Sequence, residues 1–188
     1  ENSPNPRKRN KRLIGRAKFL LLDGYNVIQA VEPYKSLSRE SLEASRVALM
    51  EDLVDYKAFT GESVIVVFDA YTSKGKNVKK DLFKGVEVIF TKEHQTADSY
   101  IESEVERLVR DPRHLVRVVT SDLAEQQLVM GSGAVRVTPR EFYFELERVR
   151  NAIQEKLPKH VKAGDTLEMK LTGEAKALLD AIRKGNSS

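Results

Sequence analysis

The sequence contains no cysteine. That excludes a disulfide framework, a thiol nucleophile and any Cys-based zinc site, and it suits a reducing compartment. Long apolar runs are missing too. None approaches the roughly 18 residues of a membrane span, so no membrane partner is expected. The three histidines, His94, His114 and His160, show no ligand spacing such as i,i+4. No Gly-x-Ser-x-Gly elbow supports covalent acyl chemistry, and no Gly-x4-Gly-Lys-Ser/Thr loop offers a phosphate cradle. Gly131 and Gly133 follow a predicted helix and not a strand, so they do not form a dinucleotide loop. The chain neither opens on Met nor carries a hydrophobic signal core, which reads as a processed N-terminus or a cloning boundary. No internal repeat of solenoid period is present.

What is present starts with 188 residues, most simply one domain with tails and long enough to bury a core. The net charge of +4 is unevenly spread. Residues 1–18 hold seven Lys/Arg against Glu1 alone, which leaves the other 170 residues at −2. A Pro/Asn/Lys/Arg segment of this kind cannot bury enough apolar surface to fold by itself. We read 1–17 as a flexible basic extension, either a solvated linker or an electrostatic arm for a polyanion.

Phe19 to Leu22 is an apolar run that ends abruptly in Asp23-Gly24-Tyr25-Asn26. Such a run, bounded by a turn signal, predicts a strand buried on both faces. Gln29 to Leu37, with Pro33, reads as a loop. Ser38 then offers an N-cap to an amphipathic helix whose apolar members run from Leu42 to Phe59, and Gly61 closes it. Val64 to Phe68 is a second apolar run, ending at Asp69. Strand, helix, strand implies a parallel pair with a right-handed crossover. Residues 71–80 read as a basic loop, and Val86 to Phe90 as a third strand. Thr96 caps a helix to about Val109, and Leu115 to Val119 is a fourth strand running into Thr120-Ser121-Asp122. A helix is predicted over 123–130 and a fifth strand over Ala134 to Val137. Thr138, Pro139 and Glu141 then signal a capping box for a helix to about Leu157, with Phe142 and Phe144 among its apolar members. The pattern predicts an α/β three-layer sandwich around a mostly parallel sheet of about five strands. Residues 158–188 form a C-terminal appendage with a short helix.

In a parallel sheet the carboxyl ends of the strands share one edge, where open α/β folds place their ligands. Asp23, Asp69, Asp98 and Asp122 can converge there. Gathered carboxylates repel and partly neutralise unless a cation is present, and hard Mg²⁺ or Mn²⁺ suits such oxygens. The competing reading is that each acid caps a helix N-terminus, where Asp is favoured. Glu102, one turn from Asp98, could extend the site or be a solvated acid; Glu125 could orient partners of Asp122 from behind. A haloacid-dehalogenase-type phosphatase needs a second aspartate two residues after the first, where this chain has Tyr25. Lys74, Lys76, Lys79 and Lys80, with Tyr71, follow the strand that carries Asp69. An acidic centre with a basic, aromatic rim is how single-stranded nucleic acid is held, although a charged loop can also be merely solvated.

Several motifs carry a resemblance. Asp23-Gly24-Tyr25-Asn26, Val66 to Ala70, Phe90 to Glu93 with Thr96-Ala97-Asp98, and Thr120-Ser121-Asp122 with Glu125-Gln126 resemble the YacP-like branch of the NYN-domain proteins. Gly131 to Ala134 and Arg140-Glu141 fit the same pattern. The resemblance covers roughly 18–157, which we take as the nuclease domain. It implies a fold similar to PIN and FLAP nucleases and a metal-dependent endoribonuclease that cuts mRNA in association with the ribosome. The family's acidic centre falls on Asp23, Asp98 and Asp122, with Asn26, Asp69 and Ser121 as supporting polar groups. A metal-activated water would then attack the phosphodiester and leave a 5′-phosphate and a 3′-hydroxyl. The basic extension suggests a plastid-targeted plant relative, with a bacterial cytoplasmic protein as the alternative. An RNA- or ribosome-binding module without chemistry remains the alternative function.

Overall fold

The computed structural model describes residues 16–69, 77–121 and 133–156. Six strands, β1 (Ala17–Asp23), β2 (Ser63–Phe68), β3 (Lys79–Phe83), β4 (Val86–Phe90), β5 (His114–Val119) and β6 (Val135–Val137), form one sheet in the order β3-β4-β2-β1-β5-β6. All neighbours are parallel except β3, which runs antiparallel to β4. Five described helices accompany it: α1 (Gly24–Ala30), α2 (Glu32–Glu40), α3 (Leu42–Thr60), α4 (Ala97–Val109) and α5 (Pro139–Lys156).

The buried apolar runs are buried because they serve two cores at once. Along β1, Leu20 and Leu22 join one cluster and Leu21 the other. Along β2, Val64, Val66 and Phe68 face the first, while Ile65 and Val67 face the second. This is the period-2 alternation of a strand with both faces covered. The first cluster packs against α1, α2, α3 and α5 and the second against α4, so the molecule has three layers. The layering follows from chain direction. The β1-to-β2 crossover moves one way along the sheet and the β4-to-β5 crossover the other, and two right-handed connections of opposite direction must lie on opposite faces.

Two sequence expectations are corrected. Residues 29–37 are helical apart from the extended Val31: α1 begins on the residue after β1, and α2 follows with Pro33 in its first turn, where a missing N–H costs nothing. Ser41, not Ser38, caps α3, accepting from the Ala44 N–H at 3.1 Å, while the Ser38 hydroxyl donates to the Lys35 carbonyl. The second correction concerns the sixth strand. Lys79 and Lys80 open β3 and do not lie in a loop; the strand turns into β4 through Lys84 and Gly85, both at positive φ. Edge strands tolerate charge and little apolar content, so Lys79 to Phe83, with only Phe83 buried, gives no strand signal. The predicted caps at Thr96 and Thr138 are present. Phe59 and Phe144, expected in apolar stripes, are largely exposed. The predicted helix over 123–130, the N-terminal extension and the C-terminal appendage lie outside the described residues. Among the described residues no helix is long and apolar enough to cross a membrane.

Candidate active site at the carboxyl edge of the sheet

The connections leaving β1 and β5 run in opposite directions, which makes the gap between their carboxyl ends the switch point of the sheet, the usual place for a ligand. Asp23 ends β1, and Thr120-Ser121 follows β5. The turn from β1 into α1 is made without a linker, and this depends on Gly24. A Cβ built there would lie 2.2 Å from Cε1 of Phe68, a buried ring stacked on Phe90. The absent side chain lets α1 start directly over the end of β2.

Asp23 is the N-cap of α1, accepting from the Asn26 N–H at 3.0 Å. Its carboxyl is nevertheless pushed up to about 6. Burial is the main cause; the backbone N–H groups of Asn26 and Tyr25 oppose it, and the charges of Asp98 and Asp69 add to it. The cap reading and the acidic-cluster reading are thus both true of Asp23. At α4 they separate. Thr96 caps that helix by accepting from the Ser99 N–H, which leaves the exposed Asp98 carboxylate in the first turn with no cap to make.

Asn26 and Ser121, 95 residues apart, are joined by two hydrogen bonds. The Asn26 Nδ2 donates to the Ser121 Oγ at 2.8 Å, and the Ser121 hydroxyl donates back to Oδ1 at 3.0 Å. They tie the start of α1 to the end of β5 beside Asp23. Asp69 accepts from the hydroxyl of Thr91 at 3.0 Å, and Thr91, fully buried just past β4, anchors its own N–H on the Phe68 carbonyl. Thr91 belongs to the Phe90 to Glu93 motif, but nothing in the sequence gives it a role of its own. Arg46 on α3 was missed as well. It donates to the Tyr25 hydroxyl at 2.9 Å and holds the ring edge-on against Phe68.

The structure therefore brings Asp69 and Asp98 within electrostatic reach of Asp23 and ties Asn26 to Ser121. Glu102 is exposed on α4 and is not among the main causes of the Asp23 shift. Lys79 lies opposite Phe90 at the carboxyl end of β4, whereas Lys80 reaches over the Tyr100 ring, with its nitrogen 5.8 Å from the centroid. Asp122, Glu125, Tyr71, Lys74 and Lys76 lie outside the described residues. Among the described residues no three Asp, Glu or His side chains form a ready metal cage. The donors still fit a hard divalent ion: a part-buried carboxylate is raised mainly by burial and further by its acidic neighbours, and Mg²⁺ commonly uses one or two carboxylates and keeps its waters.

The comparisons with known proteins agree with this architecture. The family model described as the YacP-like NYN domain matches residues 20–184. The chain is 37% identical over 168 residues to the uncharacterized protein YacP of Bacillus subtilis strain 168, covering 89% of this chain and 98% of that one. The crystal structure of Rae1 (YacP) from Bacillus subtilis superposes with a TM-score of 0.65 at 37% identity, over 89% of this chain and 95% of that one. A crystal structure of a mutant of the same Bacillus subtilis protein gives the same TM-score of 0.65 at 34% identity, over 86% of this chain and 99% of that one. By sequence match and by fold, this chain belongs to the YacP-like NYN domain family, which is consistent with an RNA-related nuclease.

Proposed function

We propose that the protein is a Mg²⁺- or Mn²⁺-dependent endoribonuclease that cuts mRNA in association with the ribosome. The observation that carries the reading is the Asp23 carboxyl, raised to about 6 at the switch point of the sheet with Asp98 and Asp69 as its acidic neighbours. Such a cluster is costly to the fold unless a cation shares it. Asp23 and Asp98, with Asp122, would hold the ion. When bound, it supplies a water of lowered pKa and stabilises charge on the phosphoryl oxygens.

The chain's own groups do the rest. The Asn26–Ser121 pair presents amide and hydroxyl dipoles beside Asp23, where they can orient a water or a phosphate oxygen. Thr91 holds Asp69 in place through its hydroxyl, so that the second acid keeps a fixed distance from the first. Lys79, with Lys74 and Lys76 before it, guides the polyanion toward the edge.

The test is cleavage of labelled RNA, free and ribosome-bound, by the purified parent and by Asp98→Asn, with and without Mn²⁺. New 5′-phosphate ends should form only with the parent and only with the ion. Undiminished cleavage by a contaminant-free Asp98→Asn protein would sink the mechanism. Metal-independent binding without new ends would leave only an RNA-binding module.

A further inference from the structure

Phe144 is half in water, 51% exposed, on the second turn of α5. The neighbouring Phe142 is fully buried and fixes which face of the helix looks outward. One turn back, the Arg140 guanidinium carbon lies 5.9 Å from the Phe144 ring centroid, and one turn on is the exposed Arg148. Spacing of four residues puts the three side chains in one stripe. Arg140 forms no ion pair among the described residues. Its acidic neighbour Glu141 is engaged instead in the capping box, accepting from the Thr138 N–H at 2.8 Å and from its hydroxyl at 2.7 Å. These bonds hold the Glu141 carboxyl below its usual range.

The stripe starts beside the candidate site. The Val137 carbonyl, at the end of β6, accepts from the Thr120 N–H at 3.1 Å, so the first turn of α5 lies next to the end of β5 and Ser121. Lys79 marks the opposite end of the same edge. Across the six strands the two are separated by about 24 Å, five spacings of roughly 4.8 Å. A polymer lying across the edge from one to the other passes over Asp23 on β1.

We infer that Arg140 and Phe144 form a stacking platform that holds one base of a single-stranded RNA whose backbone crosses the carboxyl edge. This rests on the ribonuclease reading above. A protein-binding patch would cluster apolar side chains and shed charge at its centre; here a lone ring lies between arginines. Arg and an aromatic face together bind a base and its phosphate without demanding a sequence.

The experiment uses the full chain with Asp98→Asn, so that RNA is not consumed, and a fluorescein-labelled single-stranded RNA of about ten nucleotides, within the range such sites cover. Phe144→Ala should weaken binding by about 10-fold, the loss of one base–aromatic stack. The chain has no tryptophan, so Phe144→Trp introduces a sole tryptophan that can be excited apart from the tyrosines; it should bind as tightly as the parent, and RNA should quench its emission. Phe59→Ala is the control. That ring is 45% exposed with the Lys156 nitrogen 5.1 Å from its centroid, but it lies at the carboxyl end of α3, toward the amino edge of the sheet, and its loss should leave affinity unchanged.

Equal affinity for Phe144→Ala together with unmoved emission from Phe144→Trp overturns the platform. So does a change of oligomeric mass in Phe144→Ala without a change in RNA affinity, which would assign the ring to a protein contact. Cleavage by the otherwise unmutated chain in Mn²⁺ separates the two readings. Phe144-dependent binding without cleavage keeps the platform and removes the nuclease, cleavage with Phe144-independent binding does the reverse, and neither binding nor cleavage removes both.

Discussion

At the carboxyl edge of the sheet, Asp69 and Asp98 lie within electrostatic reach of Asp23, and none of the three has an ion-pair partner among the described residues. Toward the amino side, Arg117 of β5 is ringed by partners. Its guanidinium donates to the Tyr56 hydroxyl at 3.0 Å, to Glu62 at 3.4 Å and to Glu145 at 2.5 Å, and Tyr56 donates in turn to Glu145 at 2.9 Å. A similar closed set, Tyr34, Asp52 and Arg150, ties α2, α3 and α5 together. These paired networks satisfy their own charge and cross-link elements distant in sequence. The carboxyl edge leaves like charges near one another, which destabilises the fold, an arrangement that clusters at functional sites. One end of the sheet pairs its charges, and the other leaves acidic charge without a cation among the described residues.

The largest expected effect is at the acidic end. Asp98→Asn should lower cleavage by at least about 100-fold, the upper range for groups that merely support a metal ligand. Because Asp98 is exposed and caps nothing, the urea midpoint should move little. A large loss of stability would place Asp98 in the cohesive class and collapse the contrast. At the other end the pattern should invert. Arg117→Met leaves Glu62 and Glu145 without their cation and should cost about 3 kcal/mol in chemical denaturation. The rate per folded molecule should stay near that of the parent.

Asp23→Asn tests the strain directly, since Asn can still cap α1. A carboxyl raised in the folded state to about 6 from its ordinary 3.8 adds stability only while protonated. That stability is complete below about pH 4 and is lost as pH rises through 6. The variant, uncharged throughout, should therefore be more stable than the parent at pH 7 by up to about 3 kcal/mol, with the difference gone below pH 4. It should also be inactive. Mn²⁺ should raise the melting temperature of the parent and not of the variant. Equal stability across the pH range would show that Asp23 is not strained. The smallest effect expected is for Gly24→Ala. Its new methyl would meet Phe68, which costs about 1 to 3 kcal/mol through overpacking. Activity should fall with it, because α1 carries Asn26 away from Ser121.

Much of this was legible in the residues. Apolar runs that end in Asp23 and Asp69 marked central strands and their carboxyl edge, and Thr138-Pro139-Arg140-Glu141 marked a helix start that the structure reproduces bond for bond. The misses have physical causes. Edge strand β3 buries almost nothing and so left no pattern at Lys79 and Lys80. Helices α1 and α2 are too short for a periodic signal, and Pro33 reads as a breaker unless one knows it lies in a first turn. Thr91 and Arg46 act through partners 22 and 21 residues away, a relation that spacing along the chain cannot express.

The sequence by itself determined the local grammar: which runs are buried on both faces, where acids follow strands, and which family the motifs resemble. Local preferences suffice for that, because burial on both faces and helix capping are written within a few residues. Only the tertiary structure decided that the order reverses between β1 and β5. That reversal makes Asn26 and Ser121 neighbours, sets Asp98 against Asp23, and turns an ordinary helix cap into a carboxyl held near 6. Desolvation and charge repulsion depend on what surrounds a group in space, and chain order does not contain that.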